Sequence, residues 1–160
     1  MRILCGTVLC AALAATADFP VIVVRHAERA GGTGNDVPLS DAGRCRAARL
    51  AALLADAGVK NIYASEAART RLTAEPLAAR LGVTVREQPA RDVAALVSAV
   101  REAARLGAVL VVGHSNTVPE IVERLGGGKP APIGEGEFDR LYVLTPGNPA
   151  ALLRYPGCGP

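Results

Sequence analysis

The sequence predicts an α/β fold, a single-domain three-layer sandwich with helices on both faces of a mostly parallel sheet. Residues 21–24 and residues 108–112 are continuous runs of apolar, β-forming side chains that end in polar residues. Such runs are typical of parallel strands that are buried on both faces. Segments with a helical pattern alternate with these and other short apolar segments, and this alternation favours the three-layer arrangement.

Local signals give the bounds of the elements in the first half of the chain. Ser40 is expected to cap a helix that runs to about residue 57 and ends at Gly58. The apolar residues of this helix share one face, and its arginines, Arg46 among them, fall mostly elsewhere. A second strand is predicted over residues 59–64.

The elements that follow are predicted in the same way. Ser65 is expected to cap the next helix, and Pro76 should kink that helix or divide it. A third strand is predicted at residues 83–85, and Asp92 is expected to cap or open a helix that runs to about residue 106.

The last part of the chain is predicted to contain a helix and a hairpin. Pro119 suits the first turn of a helix that ends near residue 125. Residues 141–144 and 151–155 resemble two strands joined by a Pro-Gly-Asn-Pro turn, which indicates a hairpin at a sheet edge.

Length and composition narrow the class of protein. A chain of 160 residues suits one domain with a proper core, and with 50% hydrophobic but only 3% aromatic residues that core must be aliphatic. The formal net charge of +3 is too small to indicate nucleic-acid binding, and no basic run is interleaved with aromatic residues. We therefore expect no nucleic-acid partner.

Residues 1–17 resemble a secretory signal peptide. Arg2 provides a short basic start, residues 3–15 are almost wholly apolar but too short to span a bilayer, and residues 15–17 form an Ala-Thr-Ala cleavage pattern. We expect a mature domain of residues 18–160 that is secreted or periplasmic and has no stable membrane insertion. A buried N-terminal helix is the alternative interpretation.

Two cysteines would remain after cleavage, Cys45 and Cys158. In an oxidising compartment an even pair can form a disulfide. The alternative is two unpaired thiols, with Cys45 packed in the core as part of an Ala-rich helix. Neither cysteine has the spacing of a metal ligand.

The two histidines of the chain occupy equivalent topological positions. His26 follows the first strand and His114 follows the strand at residues 108–112, so both should lie at the carboxyl edge of the sheet, where open α/β sheets bind ligands. Arg25 precedes the first histidine, and Arg69 lies in the first turn of a predicted helix, a position that favours anions. Two arginines and two imidazoles in one crevice indicate a dianionic ligand such as phosphate. The Gly-rich loop at residues 30–35 is expected at the rim of this pocket.

Three ordered motifs resemble those of the histidine phosphatase superfamily, in its phosphoglycerate-mutase-like branch. Residues 25–28, Arg-His-Ala-Glu, are similar to the Arg-His-Gly-Glu signature of that family, with alanine in place of the usual glycine. Residues 65–74 resemble its second motif, residues 113–119 its third, and residues 38–43 match the helix that follows the first motif. The resemblance spans roughly residues 21–155, and it implies phosphatase or phosphomutase chemistry that needs no metal and no other cofactor.

The resemblance also implies roles for four residues. His26 would be the nucleophile that takes up the phosphoryl group as phosphohistidine. Arg25, Arg69 and His114 would surround the phosphate oxygens and stabilise the charge of the transition state.

The general acid is left open by the sequence. Glu87 and Asp92 are candidates in the segment after the second motif, but neither lies in a recognisable match to the family. Glu28 is a third candidate. The acid-phosphatase branch has an aspartate directly after the second histidine, where this chain has Ser115.

The leading functional hypothesis is a metal-independent phosphatase that acts on small phosphate monoesters. A phosphohistidine phosphatase is a second hypothesis, and it would require a cytosolic protein substrate and no signal peptide. A non-catalytic module that binds a phosphorylated ligand is a third. A zinc hydrolase is disfavoured because two histidines without clustered carboxylates fall short of three protein ligands. A mutase is disfavoured because no large insertion could cap the pocket.

Overall fold

The computed structural model describes residues 18–158, so the predicted signal peptide lies outside the described residues. The domain contains a six-stranded sheet of order β3-β2-β4-β1-β5-β6 and four helices. The elements in chain order are β1 (Val21–Arg25), α1 (Asp41–Leu53), β2 (Val59–Ala64), α2 (Ala68–Leu81), β3 (Val85–Glu87), α3 (Val93–Ala103), β4 (Ala108–Gly113), α4 (Thr117–Arg124), β5 (Arg140–Leu144) and β6 (Ala151–Arg154). None of the helices in residues 18–158 is both long and apolar enough to cross a membrane.

The sheet is parallel over four strands and antiparallel over the last two. Strand β1 pairs in parallel with β4, from Val21 opposite Val109 to Arg25 opposite Gly113. On its other side β1 pairs antiparallel with β5, and β6 completes the predicted hairpin at the sheet edge. The register brings the ends of β1 and β4 level, so the residues that follow them emerge side by side.

The hydrophobic core is divided into two layers by the sheet. Successive side chains of a strand point to opposite faces, so Val23 and Val111 pack in one layer while Val24 and Leu110 pack in the other. The first layer is covered by side chains of α3 and α4, and the second by side chains of α1 and α2. This arrangement confirms the predicted three-layer α/β fold.

Several predicted element bounds were wrong by two to four residues. Helix α1 ends at Leu53 and α3 at Ala103, and turns follow each of them. The third strand occupies Val85–Glu87 instead of residues 83–85. Val83 lies just beyond α2, and its backbone N–H donates to the carbonyl of Ala78 at 3.0 Å as part of the C-terminal cap.

One prediction about α2 was wrong, and one of the two alternatives for Pro76 is excluded. Ser65 does not cap the helix, since Ala67 is at the N-cap and makes no side-chain capping bond, and the Ser65 hydroxyl is used elsewhere. Pro76 lies inside one continuous helix and does not divide it. Leu77 and Ala74, beside the proline, are fully buried in the core, and this packing stabilises the helix against the loss of one backbone hydrogen bond.

The C-terminal tail is held against α1 by one covalent bond and two hydrogen bonds. Cys158 forms a disulfide with Cys45, with Cα atoms 6.0 Å apart. Arg46 donates to the carbonyl of Tyr155 at 3.1 Å, and Arg49 donates to the carbonyl of Gly157 at 2.7 Å. The structure therefore pairs the two cysteines that the sequence left open.

Arg46 was predicted to lie away from the buried face of α1, but the structure buries its side chain. Its side chain is only 11% exposed, and its guanidinium binds both carboxylate oxygens of Glu28 at 2.7–3.0 Å. The same guanidinium holds the tail at Tyr155, so it connects three separate segments of the chain. A charge is tolerated in this half-buried place because its donors are paired.

Candidate active site

The two histidines meet at the carboxyl edge of the sheet. Their ring centroids are 5.4 Å apart and the rings are inclined at 67°. This proximity follows from the register of β1 and β4, which continues beyond the strands as a hydrogen bond of 2.9 Å from the His26 N–H to the Gly113 carbonyl. The structure thus brings together two residues that are 88 positions apart (114 − 26).

Backbone contacts determine which nitrogen of His26 carries the proton. Nδ1 lies 2.7 Å from the carbonyl oxygen of Ala27, and a carbonyl can only accept, so Nδ1 is the donor. Burial lowers the pKa of His26 to about 4, more than the hydrogen bond to Ala27 raises it. The imidazole is therefore neutral at pH 7, with the lone pair of Nε2 free. A buried neutral imidazole in this tautomer is suited to nucleophilic attack.

His114 is oriented by a chain of hydroxyl groups. Its Nε2 lies 2.8 Å from the Ser65 hydroxyl, which lies 2.8 Å from the Thr70 hydroxyl, and Thr70 in turn donates to the Ala67 carbonyl at 2.7 Å. Because this series of hydrogen bonds ends at a carbonyl, which can only accept, Thr70 donates to the carbonyl, Ser65 donates to Thr70, and His114 Nε2 donates to Ser65. Ser65 is therefore a positioning residue for His114, a role that its interpretation as a helix cap missed.

The other edge of the His114 ring faces Arg69. Nδ1 lies 3.4 Å from a guanidinium nitrogen of Arg69, which also donates to the Gly34 carbonyl at 3.1 Å. Burial, and then the charge of Arg69, lower the pKa of His114 to about 4. Arg69 follows the start of α2 directly, so the helix N-terminus adds to the positive potential here.

Arg25 forms the base of the site. One of its nitrogens donates to three carbonyls of a single loop, those of Gly134, Glu135 and Glu137, at 2.7, 2.9 and 3.0 Å. Its guanidinium lies 4.2 Å from the ring centroid of Phe138, and its Nε is buried without a hydrogen-bond partner. Burial lowers the pKa of Arg25, but arginine remains protonated in proteins. An anion in the pocket would provide a partner for this buried cation.

These residues surround a cavity of about 550 Å³. The four residues predicted to bind phosphate all line it, together with residues of the predicted rim loop. The full lining is Arg25, His26, Arg29, Thr33, Gly34, Asn35, Arg69, His114, Ser115, Asn116, Glu135 and Phe138. With three arginines and one carboxylate, the cavity is suited to an anion.

Sequence reasoning missed three residues of this lining, Arg29, Glu135 and Phe138. Arg29 could have been found, since it directly follows the first motif. Glu135 and Phe138 belong to the loop between α4 and β5, which carries no recognisable motif. Three hydrogen bonds from Arg25 and the packing of Phe138 near Arg25 and His26 hold this loop at the pocket.

The three candidate general acids lie outside the cavity lining, which corrects the sequence prediction. The Glu28 carboxylate is bound to Arg46. Burial alone would raise the pKa of Glu28, but the hydrogen bonds from Arg46 outweigh the effect of burial and lower this pKa. Glu87 lies 3.5 Å from Arg71, and Asp92 accepts from the Ala95 N–H at 2.9 Å as the cap of α3. Each carboxylate therefore has a structural partner away from the histidines. No three His, Cys, Asp or Glu side chains in residues 18–158 cluster as metal ligands would.

Comparison with known proteins agrees with this geometry. The model of the histidine phosphatase superfamily (branch 1) matches residues 21–92. A candidate phosphohistidine phosphatase SixA from Agrobacterium tumefaciens superimposes with a TM-score of 0.61 at 22% identity, over 88% of this chain and 98% of that one. No curated protein matches the chain.

Two further solved structures share the fold. The protein histidine phosphatase SixA, solved with tungstate, has a TM-score of 0.64 at 19% identity and covers 84% of this chain and 94% of its own. A candidate α-ribazole-5′-phosphate phosphatase from Escherichia coli K-12 has a TM-score of 0.65 at 16% identity, over 86% and 95% of the two chains. The chain thus has the fold of these solved structures. Over residues 21–92 the chain is similar to the histidine phosphatase superfamily, branch 1, and this segment contains His26 and Arg69.

Proposed function

We propose that this protein is a metal-independent phosphatase that hydrolyses small phosphate monoesters through a phosphohistidine intermediate on His26. One observation carries the proposal: Nδ1 of a buried, neutral His26 is held by the Ala27 carbonyl, which leaves Nε2 as a nucleophile in a pocket lined by three arginines. Arg25, Arg69 and His114 line the same cavity as His26, and in this proposal they bind the transferring phosphoryl group.

The first step transfers the phosphoryl group to the protein. The lone pair of His26 Nε2 attacks phosphorus, and the bond from phosphorus to the ester oxygen breaks. The leaving oxygen keeps the bonding electrons and takes a proton from water. Arg25 and Arg69 stabilise the charge that develops on the phosphoryl oxygens.

The second step returns the enzyme to its starting state. Water attacks phosphorus, the phosphorus–Nε2 bond breaks, and its electron pair returns to the imidazole. The proton of the attacking water passes to solvent, and inorganic phosphate leaves. The rim residues Arg29 and Glu135 are exposed to solvent, so water can reach the intermediate.

A phosphohistidine side chain is a second candidate substrate. The engagement of Glu28, Glu87 and Asp92 elsewhere favours it, because imidazole is a better leaving group than an alkoxide and depends less on a general acid. The proposed export of the protein by residues 1–17 favours small monoesters instead, since protein phosphohistidine would have to be met in the cytosol.

A substrate panel assayed with EDTA tests the proposed function. We expect hydrolysis of p-nitrophenyl phosphate and of several alkyl phosphates at rates that EDTA does not change. Activity that EDTA removes and added metal restores would contradict the mechanism. Tight binding of inorganic phosphate without turnover of p-nitrophenyl phosphate would instead indicate the non-catalytic module.

Arg69 provides a further prediction. Replacement of Arg69 by alanine is expected to lower kcat/KM by about 10²-fold or more, because the guanidinium serves both the bound phosphate and the transition state. Arg69→Lys should restore only part of this loss, because an ammonium group lacks the planar fork. Steady-state kinetics with p-nitrophenyl phosphate measures both variants.

The matched control for Arg69 lies two residues further along α2. Arg71 is a guanidinium on the same helix, but it pairs with Glu87 and does not line the cavity. Arg71→Ala should leave kcat/KM near the wild-type value. Equal losses for the alanine variants of Arg69 and Arg71 would show that the effect is structural, and would contradict the phosphate-binding role.

A further inference from the structure

The loop that carries Glu135 is fixed to the phosphate-binding side of the pocket. Arg25 donates to the carbonyls of Gly134, Glu135 and Glu137, and its guanidinium faces the Phe138 ring. Within the loop, the Glu137 carboxylate accepts from the Gly134 N–H at 2.8 Å and pairs with Arg140 at 2.7 Å. The position of Glu135 relative to the bound phosphate is therefore set by Arg25 itself.

Glu135 and Glu137 differ in what their carboxylates do. Glu137 is held by Arg140 and lies 3.7 Å from Arg154, so its charge is used to shape the loop. Glu135 is exposed, lines the cavity, and within residues 18–158 only its backbone carbonyl makes a hydrogen bond. Its charge is available to a ligand.

The direction of the reaction sends the leaving group towards the rim of the cavity, and Glu135 is the carboxylate among the residues that line this cavity. In-line attack by the buried His26 Nε2 requires the departing oxygen on the opposite side of phosphorus, towards the solvent-exposed rim. Glu135 and Phe138 both line this cavity, and Glu135 is exposed at its rim. A leaving group that reaches this rim meets a carboxylate beside an apolar surface.

We propose that Glu135 selects phosphate monoesters whose leaving group carries an ammonium or quaternary ammonium group, such as amino-alcohol phosphates. This inference rests on the proposed function, and it adds a substrate class. A cationic group one or two carbons from the ester oxygen would pair with the Glu135 carboxylate and place its methylene or methyl groups against Phe138. A second phosphate or carboxylate at the same place would be repelled.

Arg29 is the opposing charge at the rim. It is exposed, and its guanidinium donates to the Gly32 carbonyl at 2.5 Å, on the side of the loop at residues 30–35. Arg29 and Arg69 both line the cavity, and burial, followed by the charge of Arg29, lowers the pKa of Arg69. The two sides of the rim therefore differ in sign, and Glu135 is the group that discriminates among leaving groups.

Two substrates of the same shape test the inference. Phosphocholine and 3,3-dimethylbutyl phosphate differ only in a quaternary nitrogen against a quaternary carbon, so their kcat/KM ratio reports the charge alone. We expect the wild-type protein to favour phosphocholine by about threefold to tenfold, as for an exposed ion pair. Glu135→Gln should bring the ratio to about one, through a fall in kcat/KM for phosphocholine relative to 3,3-dimethylbutyl phosphate. Glu123→Gln, which removes an equal charge from the exposed face of α4, should keep the wild-type ratio.

The outcomes separate the two proposals. Hydrolysis of p-nitrophenyl phosphate with a wild-type ratio of one, or with a ratio that Glu135→Gln does not change, would overturn the inference and leave the proposed function intact. A loss in Glu135→Gln that is equal for both substrates would indicate proton donation, and would also overturn it. If no phosphate ester is hydrolysed, the proposed function fails, but calorimetric binding of the same two compounds still decides the inference. Equal affinities for the two compounds would overturn the inference. Tighter binding of phosphocholine that depends on Glu135 would support it.

Discussion

Replacement of His26 by alanine is expected to lower kcat by about 10⁴-fold or more, the loss typical of a covalent nucleophile. The reason is geometric: Nε2 of this imidazole is the neutral, unprotonated nitrogen that the Ala27 carbonyl leaves free in the pocket. Methyl in place of imidazole removes the group that forms the bond to phosphorus. Binding of inorganic phosphate should be partly retained, because Arg25 and Arg69 remain.

Rapid quench of the wild-type protein with labelled substrate measures the intermediate directly. The label should appear on the peptide that contains His26 when digestion is carried out under alkaline conditions, in which phosphohistidine survives. The Glu123→Gln variant is the control for handling and should label like the wild type. Label on the peptide of His114, or an active enzyme without any labelled peptide, would show that the nucleophile is assigned wrongly.

Loss of the disulfide is expected to have the largest effect on stability. The Cys45–Cys158 bond closes a loop with a sequence separation of 113 residues. In the chain-entropy model a loop of this size stabilises the folded state by about 5 kcal/mol, because the cross-link restricts the unfolded chain. The double variant Cys45→Ser with Cys158→Ser should therefore unfold at a markedly lower urea concentration.

Equilibrium urea unfolding, followed by circular dichroism, measures this difference. Cys45→Ser alone should lower the free energy of unfolding by about as much as the double variant does, since either change removes the same disulfide bond. The active site should be less affected than the stability, because the Arg46 contacts with Glu28 and Tyr155 do not depend on the bond. Two free thiols per chain in denatured, unreduced wild-type protein, or equal unfolding with and without reductant, would contradict the prediction.

The strands, the layers and the two histidines could be predicted from sequence because their signals are local. Residues 21–24 and 108–112 are buried on both faces, so every position must be apolar and the run is visible without any partner. A histidine directly after such a strand lies at the sheet edge wherever the strand is placed. Capping signals were similarly reliable where the cap binds its own helix, as Ser40 and Asp92 do.

The fine bounds of elements were less predictable because they depend on the neighbouring strand. Residues 83–85 have the β-branched composition of a strand, yet pairing with β2 begins only at Val85. Pro76 would disrupt an isolated helix, but the buried residues around it keep α2 continuous. In both places tertiary packing outweighs local preference.

The sequence by itself determined the α/β class, the family motifs and the pairing of His26 with His114 at one sheet edge. Tertiary structure alone decided the partners of the polar side chains. Glu28 binds Arg46 and is therefore removed from the candidate acids. Ser65 orients His114, which is 49 positions away. Arg25, which lies 110 positions before Glu135, brings the loop with Glu135 to the pocket. The physical reason is that an apolar strand is stabilised by burial alone, whereas a buried charged or hydroxyl group needs a particular partner at hydrogen-bond distance. The folding of distant segments decides which group that partner is.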